Sequence, residues 1–223
     1  MKNQNALALL ALVAVATSHA AEFEVIQIGN YPGTSFSFAT GINNSGQVVG
    51  YSMAGQLAQG WRWSEAESMS AMPHGNGLID ETTCYDINEG GQIAGTARFN
   101  GFSYAYRYTP GVGYTFLPVP GADWSHGSAI NDRGTVVGLT DSQNGNAPAL
   151  WAVGQAGIHL PTLQSPGYNT ANDINNGGYV AGQLAAASPT HATITAPNNA
   201  ITDLHLLFPP EAGSSRAYGI NDS

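Results

Sequence analysis

Residues 41–50 have the sequence Gly-Ile-Asn-Asn-Ser-Gly-Gln-Val-Val-Gly, and this pattern returns several times along the chain. The Ile42-Asn43 pair inside it has four further copies: Ile87-Asn88, Ile130-Asn131, Ile174-Asn175 and Ile220-Asn221. Successive isoleucines are 45, 43, 44 and 46 residues apart. A period of this length is typical of repeat proteins, in which each repeat is one supersecondary unit. The sequence therefore predicts a chain of stacked repeats.

Each complete repeat contains the signals of four strands. The Ile-Asn pair ends a first strand, and two turn residues and a glycine follow it: Gly46, Gly91, Gly134 and Gly178. This pattern is typical of a type I turn that ends in a left-handed residue. Second, third and fourth strands are predicted near residues 47–50, 59–63 and 69–72, and again at 92–95, 104–108, 114–117, 135–138, 148–152, 158–160, 179–182, 191–195 and 201–204. Four strands in about 44 residues indicate an all-β fold of four-stranded antiparallel blades, a β-propeller.

The first twenty residues have the features of a secretory signal peptide. Lys2 precedes an apolar run from Ala6 to Ala16, and Ser18-His19-Ala20 supplies small residues for cleavage after Ala20. Eleven helical residues reach roughly 16 Å, about half the roughly 30 Å hydrocarbon core of a membrane. We therefore expect a secreted protein, periplasmic or extracellular, with no membrane span.

The copies of the Ile-Asn pair also set the expected domain organisation. Residues 21–223 form a single repeat domain that begins with an outer strand at 23–28. The predicted repeats cover residues 36–83, 84–126, 127–170 and 171–214, and a partial repeat covers 215–223. Because the last copy stops inside a hairpin turn, we expect the native chain to continue past Ser223 with further blades.

The excess of negative charge on the chain disfavours nucleic acids as partners. Beyond the leader, five arginines face fifteen carboxylates. Such a surface repels polyphosphates, so nucleic-acid binding is disfavoured.

The repeated Gly-Ile-Asn-Asn-x-Gly-Gln-Val-Val-Gly pattern, with an x-Ala-aromatic strand between copies, resembles the HAF family of probable extracellular bacterial repeats. The His-Ala-Phe triplet that names the family is only partly kept, as His191-Ala192 and as Tyr104-Ala105-Tyr106. The resemblance covers nearly the whole chain after the leader. It implies a secreted or cell-surface protein, and it brings no known activity, so no catalytic residue can be carried over.

The aspartates, the cysteine and the histidines are the candidates for a metal or catalytic site. Asp86 and Asp173 each begin a stretch like a calcium loop, but Ala97 and Leu184 stand where its twelfth-position carboxylate belongs. Cys84 occupies a slot that other repeats fill with alanine or glycine, which favours a small buried side chain. The histidines lack the close pairing of a zinc site. We therefore predict no cofactor, no metal site and no catalytic residue, and an enzymatic activity is disfavoured.

The aromatic side chains fall into two groups. Trp61, Trp63, Tyr106 and Tyr108 recur at one register of the third strand, which indicates core packing. In contrast, Asp123-Trp124-Ser125-His126 is predicted to lie in a loop where the other repeats have no tryptophan. We predict Asp123, Trp124 and His126 as a binding site for an extracellular ligand, a glycan or a protein. The alternative is that the Trp124 ring folds back onto a blade.

Three functional classes remain open. A binding scaffold is favoured because stacked repeats form a rigid support for variable loops. A structural envelope or matrix component is the second alternative, and a propeller lyase or hydrolase is the third. Carboxylates and histidines converging on the central channel would favour an enzyme, whereas a polar channel with aromatic loops would favour binding.

Overall fold

The computed structural model describes residues 24–74, 77–143, 145–163, 167–185, 189–209 and 213–222. The predicted leader at residues 1–20 and its cleavage point lie outside these ranges. Across the described residues the chain forms four antiparallel sheets that follow one another in sequence. We refer to them as blades 1 to 4. The predicted all-β repeat fold is confirmed.

Each blade contains four strands in chain order. Blade 1 contains β1 (Phe36–Ile42), β2 (Val48–Ala54), β3 (Leu57–Ser64) and β4 (Ser68–Ala71). Blade 2 contains β5 (Ile79–Ile87), β6 (Ile93–Phe99), β7 (Phe102–Thr109) and β8 (Gly113–Phe116). Blade 3 contains β9 (Ser125–Ile130), β10 (Val136–Ser142), β11 (Gly145–Trp151) and β12 (Ile158–His159), and β13 (Gly167–Tyr168) pairs in parallel with β11. Blade 4 contains β14 (Thr170–Ile174), β15 (Val180–Ala185), β16 (Thr190–Thr195) and β17 (Ile201–Asp203), followed by a short 3-10 helix at His205–Leu207.

The hairpin between the first two strands of each blade has the predicted turn. In blade 3 the Gly134 N–H donates to the Asn131 carbonyl at 2.9 Å, and the Asn131 N–H donates to the Thr135 carbonyl at 3.1 Å. Gly134 has a φ of 75°, in the left-handed region that glycine tolerates without a steric cost. The same pair of backbone bonds recurs in the other three blades. The turn is therefore set locally by the asparagine and the glycine.

A bulge in the first strand of each blade requires a second glycine, which lies on the neighbouring second strand. In blade 2 the pairing register of β5 and β6 shifts between Cys84 and Asp86. The bulge brings the Thr83 carbonyl so close to Gly95 that a Cβ at Gly95 would overlap it. Equivalent close approaches occur at Gly50, Gly138 and Gly182. The final glycine of the repeated pattern is therefore required by the backbone of the neighbouring strand.

The core of each blade contains the third-strand side chains. Trp61 and Tyr106 are fully buried, as expected for core packing, and Trp63 and Tyr108 are partly buried. Cys84 is also fully buried, and burial raises the pKa of its thiol to about 12. The thiol therefore remains protonated and belongs to the core, as predicted.

Neighbouring blades pack face to face in chain order. The repeated isoleucine is buried between blades, with exposed fractions of 6 % for Ile87, 5 % for Ile130 and 5 % for Ile174. Ile42 is 68 % exposed because it lies on the face of blade 1 that points away from blade 2. The isoleucine of the repeat is therefore a residue of the seam between blades.

Some predicted boundaries differ from the structure. Residues 24–28 form no strand, although an outer strand was expected at 23–28. Blade 4 already has its own outer strand, β17, so no fourth strand is missing there. The first strand of blade 2 begins at Ile79, before the expected boundary at residue 84, because the strand extends upstream of the repeated pattern. The partial repeat forms no strand over residues 213–222, but it lies along blade 4, where the Ala217 N–H donates to the Gly182 carbonyl.

Candidate functional site

The repeated asparagines link each blade to the next one. The side-chain Nδ2 of Asn88 donates to the Asn131 backbone carbonyl at 2.9 Å, and the Asn88 Oδ1 accepts the Gln92 N–H at 2.9 Å. The equivalent inter-blade bonds run from Asn43 to Asn88, from Asn131 to Asn175 and from Asn175 to Asn221. We call this row of side chains the asparagine ladder. The sequence pattern indicated a role for these asparagines in the turn alone and did not reveal the connection between blades.

The carboxylates near the ladder bind backbone N–H groups. Asp132 accepts the Glu89 N–H at 2.9 Å. The two calcium-like aspartates have the same role: Asp86 accepts the Ile130 N–H at 2.8 Å, and Asp173 accepts the Ile220 N–H at 2.8 Å. Burial raises the pKa of Asp86 to about 6, although its N–H bonds act to lower it. These carboxylates are therefore built into the seams between blades.

The ladder lines a shallow polar cavity of about 280 Å³ on the side of the repeated hairpins. Its walls are copies of the same residues from blades 2 to 4 and from the partial repeat, including Asp86, Asn88, Asn131, Asn175 and Asp222. Among the residues that the structure describes, no group of three or more His, Cys, Asp or Glu side chains could hold a metal ion.

The predicted binding loop is held firmly against blade 3. The backbone N–H groups of Asp123 and Trp124 both donate to Asp141 Oδ1 at 2.9 Å, and the Thr140 hydroxyl donates to the Trp124 carbonyl. Burial acts to raise the pKa of Asp141, but the hydrogen bonds from the Trp124, Asp123 and Asp141 N–H groups and from Thr140 together lower it below its usual value. The loop is therefore preorganised around an ionised carboxylate.

Trp124 and His126 lie in the wall of one cavity between blades 2 and 3. The cavity has a volume of about 370 Å³, and its lining residues are Thr96, Gly101, Phe102, Ser103, Trp124, Ser125 and His126. Trp124 is partly buried, so its ring is partly covered and partly available. Asp123 is exposed and does not line the cavity. The structure thus brings together two of the three predicted residues.

His126 belongs to a strand and not to the loop where it was expected. It lies in β9 and pairs with Leu139. Its ring packs against Tyr85 of blade 2 with the ring centroids 4.6 Å apart. Burial lowers the pKa of His126 to about 4, so the imidazole is neutral at neutral pH.

Two residues that line this cavity each have a buried polar atom without a hydrogen-bond partner among the described residues. They are His126 Nδ1 and Thr96 Oγ1. Both atoms are sealed from solvent, so a ligand in the cavity does not reach them. The polar groups that a ligand meets there must come from other atoms of the wall.

The blade 2 side of the cavity was missed from the sequence. Phe102 and Ser103 follow the β6–β7 hairpin, where Asn100 and Gly101 both have positive φ. An Asn-Gly pair is a strong hairpin signal. That signal could have placed Phe102 at a loop tip, but not beside Trp124 of the next blade.

Comparison with solved structures shows the fold. TolB from Acinetobacter baumannii has a TM-score of 0.61 at 14% identity, over 86% of this chain and 48% of TolB. A streptogramin B lyase has a TM-score of 0.51 at 12% identity, over 78% of this chain and 56% of the lyase. Virginiamycin B lyase from Staphylococcus aureus has a TM-score of 0.51 at 13% identity, over 82% of this chain and 59% of the lyase. All three are β-propellers, so the chain has a β-propeller fold and spans about half the length of these neighbours.

No protein-family model matches the chain, and no curated protein sequence matches it either. In the described residues, no helix is long and apolar enough to cross a membrane.

Proposed function

We propose that this chain is a binding scaffold of the periplasm or the cell exterior, and that it binds a glycan in the cavity beside Trp124. The observation that carries the proposal is that the partly buried Trp124 and the exposed Phe102 lie in the walls of one cavity together with Ser103. Sugars present both an apolar ring face and hydroxyl groups, which suit aromatic side chains and polar side chains respectively.

The remaining walls have the same mixed chemistry. Phe102 is 55 % exposed at the cavity rim, and Ser103 contributes a hydroxyl group. The Ser125 hydroxyl already bonds to the Leu117 carbonyl and the Ala105 N–H, so it mainly joins the two blades. Ligand pockets typically combine apolar walls with a few fixed polar groups. The cavity fits that description at the size of one or two sugar rings.

A lyase activity is the alternative that the two similar lyase structures suggest. The carboxylates closest to the asparagine ladder, however, bind backbone N–H groups of the neighbouring blade, as Asp86 binds Ile130 and Asp132 binds Glu89. Since these carboxylates hold the seams together, their geometry favours a structural role. This supports binding over catalysis.

The proposal predicts that Trp124→Ala abolishes most glycan binding. Loss of the ring removes an aromatic contact, and we expect the affinity for the best glycan on an array to fall about tenfold or more, because burying such a side chain contributes about 1.5–3 kcal/mol. Tyr179→Ala is the matched control, because it removes an exposed aromatic side chain from blade 4 and leaves the cavity intact. Glycan binding that survives Trp124→Ala unchanged, or a wild-type protein that binds no glycan, would contradict the proposal.

A further inference from the structure

Arg107 in β7 is a buried cation for which the described residues supply one hydrogen-bond acceptor and no counter-ion. The residue is 7% exposed, and its guanidinium Nη1 donates to the Gly134 carbonyl at 2.8 Å. A guanidinium has five N–H donors, and within the described part of the chain this side chain forms no ion pair and no second hydrogen bond. The other guanidinium nitrogens are not among the buried side-chain atoms that lack a hydrogen-bond partner. A ligand in the adjoining space can therefore reach them.

That space is a cavity of about 310 Å³ between blades 2 and 3. Its walls come from β8, from the segment that follows β8 and from the loop that follows β11, and they include Phe116, Pro118, Val119 and Trp151. Thr115 and Gln155 add neutral polar groups, and no carboxylate of the described residues lines the cavity. The positive charge therefore faces mainly apolar walls.

Arg107 can be compared with the residue at the same register of blade 1. Arg62 has the same register in blade 1, since it pairs with Val49 as Arg107 pairs with Ala94. Arg62 has its own carboxylate, because its Nη2 lies 3.6 Å from Glu67 Oε2, and its side chain is 41% exposed. The blade fold thus accommodates an arginine with a partner at this register.

Arginine is also not needed there to build a blade. The register is occupied by Leu150 in blade 3 and by Ile194 in blade 4, which pair with Val137 and Ala181. Arg107 therefore differs from its three counterparts because it is charged, buried and without an acidic partner in the described parts of the chain. Buried charges are costly unless they are paired.

We propose that the cavity beside Arg107 binds a small aromatic carboxylic acid, with the carboxylate on the guanidinium and the ring against Phe116 and Pro118. Arginine holds carboxylates through two parallel N–H bonds, and the free nitrogens of Arg107 suit that geometry. The volume matches a single aromatic ring with a short acid arm. Burial lowers the pKa of Arg107, which agrees with a charge that lacks its counter-ion.

This site is separate from the Trp124 cavity. Phe102 and Ser103 of that cavity lie at the start of β7, whereas Arg107 lies near the end of the same strand. No residue lines both cavities. The two proposals can therefore fail independently.

Titration of the full chain with phenylacetate tests the inference, with phenylacetamide as the neutral probe of the same shape. The indole N–H of Trp151 reports on the cavity by NMR, because Trp151 lines the cavity and its Nε1 donates to the Pro118 carbonyl. We expect saturable binding of phenylacetate and at least tenfold weaker binding of phenylacetamide. This comparison on the wild-type protein needs no variant. Equal binding of the two probes, or no saturable shift with phenylacetate, would overturn the inference.

Substitutions at Arg107 test whether its guanidinium contacts the carboxylate of phenylacetate. We expect Arg107→Gln to weaken phenylacetate binding at least tenfold, and Arg62→Gln, the same change at the same register of blade 1, to leave it unchanged. Arg107→Lys keeps the charge but loses the paired N–H groups, so a several-fold loss is expected. Phenylacetate binding that is unchanged in both Arg107 variants would show that the cation serves only the Gly134 hairpin.

Discussion

Replacing Gly95 with alanine is expected to destabilise the protein by about 3 kcal/mol, because overpacking at a rigid site has costs of this order. The bulge in β5 places the Thr83 carbonyl against the Gly95 Cα, and the Tyr106 hydroxyl lies 2.6 Å from the position of the new Cβ. Tyr106 is fully buried, and the Thr83 carbonyl is part of the backbone, so relieving the overlap requires the sheet itself to shift. Urea unfolding followed by circular dichroism measures the effect as a shift of the midpoint.

Gly90→Ala is the matched control for this prediction. It lies in the hairpin of the same blade, and the nearest atom to its new Cβ is Asn88 Oδ1 at 3.4 Å. We expect a change within about 0.5 kcal/mol, as for other surface substitutions. If Gly95→Ala costs no more than Gly90→Ala, the bulge does not force the glycine.

Asn131→Asp is expected to destabilise the protein by about 2–4 kcal/mol, through the loss of one inter-blade bond. The aspartate keeps the acceptor for the Arg133 and Thr135 N–H groups, each at 3.1 Å. It replaces the Nδ2 donor, so a carboxylate oxygen would face the Asn175 carbonyl, which now accepts at 3.1 Å. Asn131 is 5% exposed, and an uncompensated charge at such a site is costly.

Asn198→Asp makes the same chemical change where only the acceptor is used. Asn198 is exposed, and its Oδ1 accepts the Ala200 N–H at 3.1 Å. Its free energy of unfolding should change by about 0.5 kcal/mol or less. Equal effects of the two substitutions would mean that the donor of Asn131 does not join blades 3 and 4.

The order and pairing of the strands could be predicted because their signals are local. A hairpin needs only its own asparagine and glycine, as at Asn131 and Gly134, and both are adjacent in the sequence. The contacts between blades were not predictable in this way. The bond from Asn88 to Asn131 joins residues 43 positions apart, and nothing in either copy shows which group the side chain will reach.

The third strand of blade 3 shows how a local pattern can mislead. Aligning 148–152 with 59–63 places Leu150 at the register of Trp61, but Ala149 occupies it, since Ala149 pairs with Gly138 as Trp61 pairs with Gly50. Trp151 consequently takes the register of Trp63. A shift of one residue reverses which face each side chain occupies. Only the hydrogen-bond partners settle such a register.

The two cavities differ in how far the sequence could reveal them. Trp124 stood out because no other repeat has a tryptophan at its position, so comparing the copies was enough. Comparing the repeats did not single out Arg107, because blade 1 has Arg62 at the equivalent position. What distinguishes the two arginines is that Arg107 is buried and, among the residues that the structure describes, has no acidic partner comparable to Glu67 of Arg62.

The repeated asparagines join neighbouring blades through their side-chain N–H donors. Hydrogen exchange of the side-chain amide groups, measured by NMR, tests this connection, because a buried, hydrogen-bonded amide exchanges slowly. The Nδ2 protons of Asn88 and Asn131 should exchange at least tenfold more slowly than those of the exposed Asn198. Equal exchange rates at the three positions would contradict the claim.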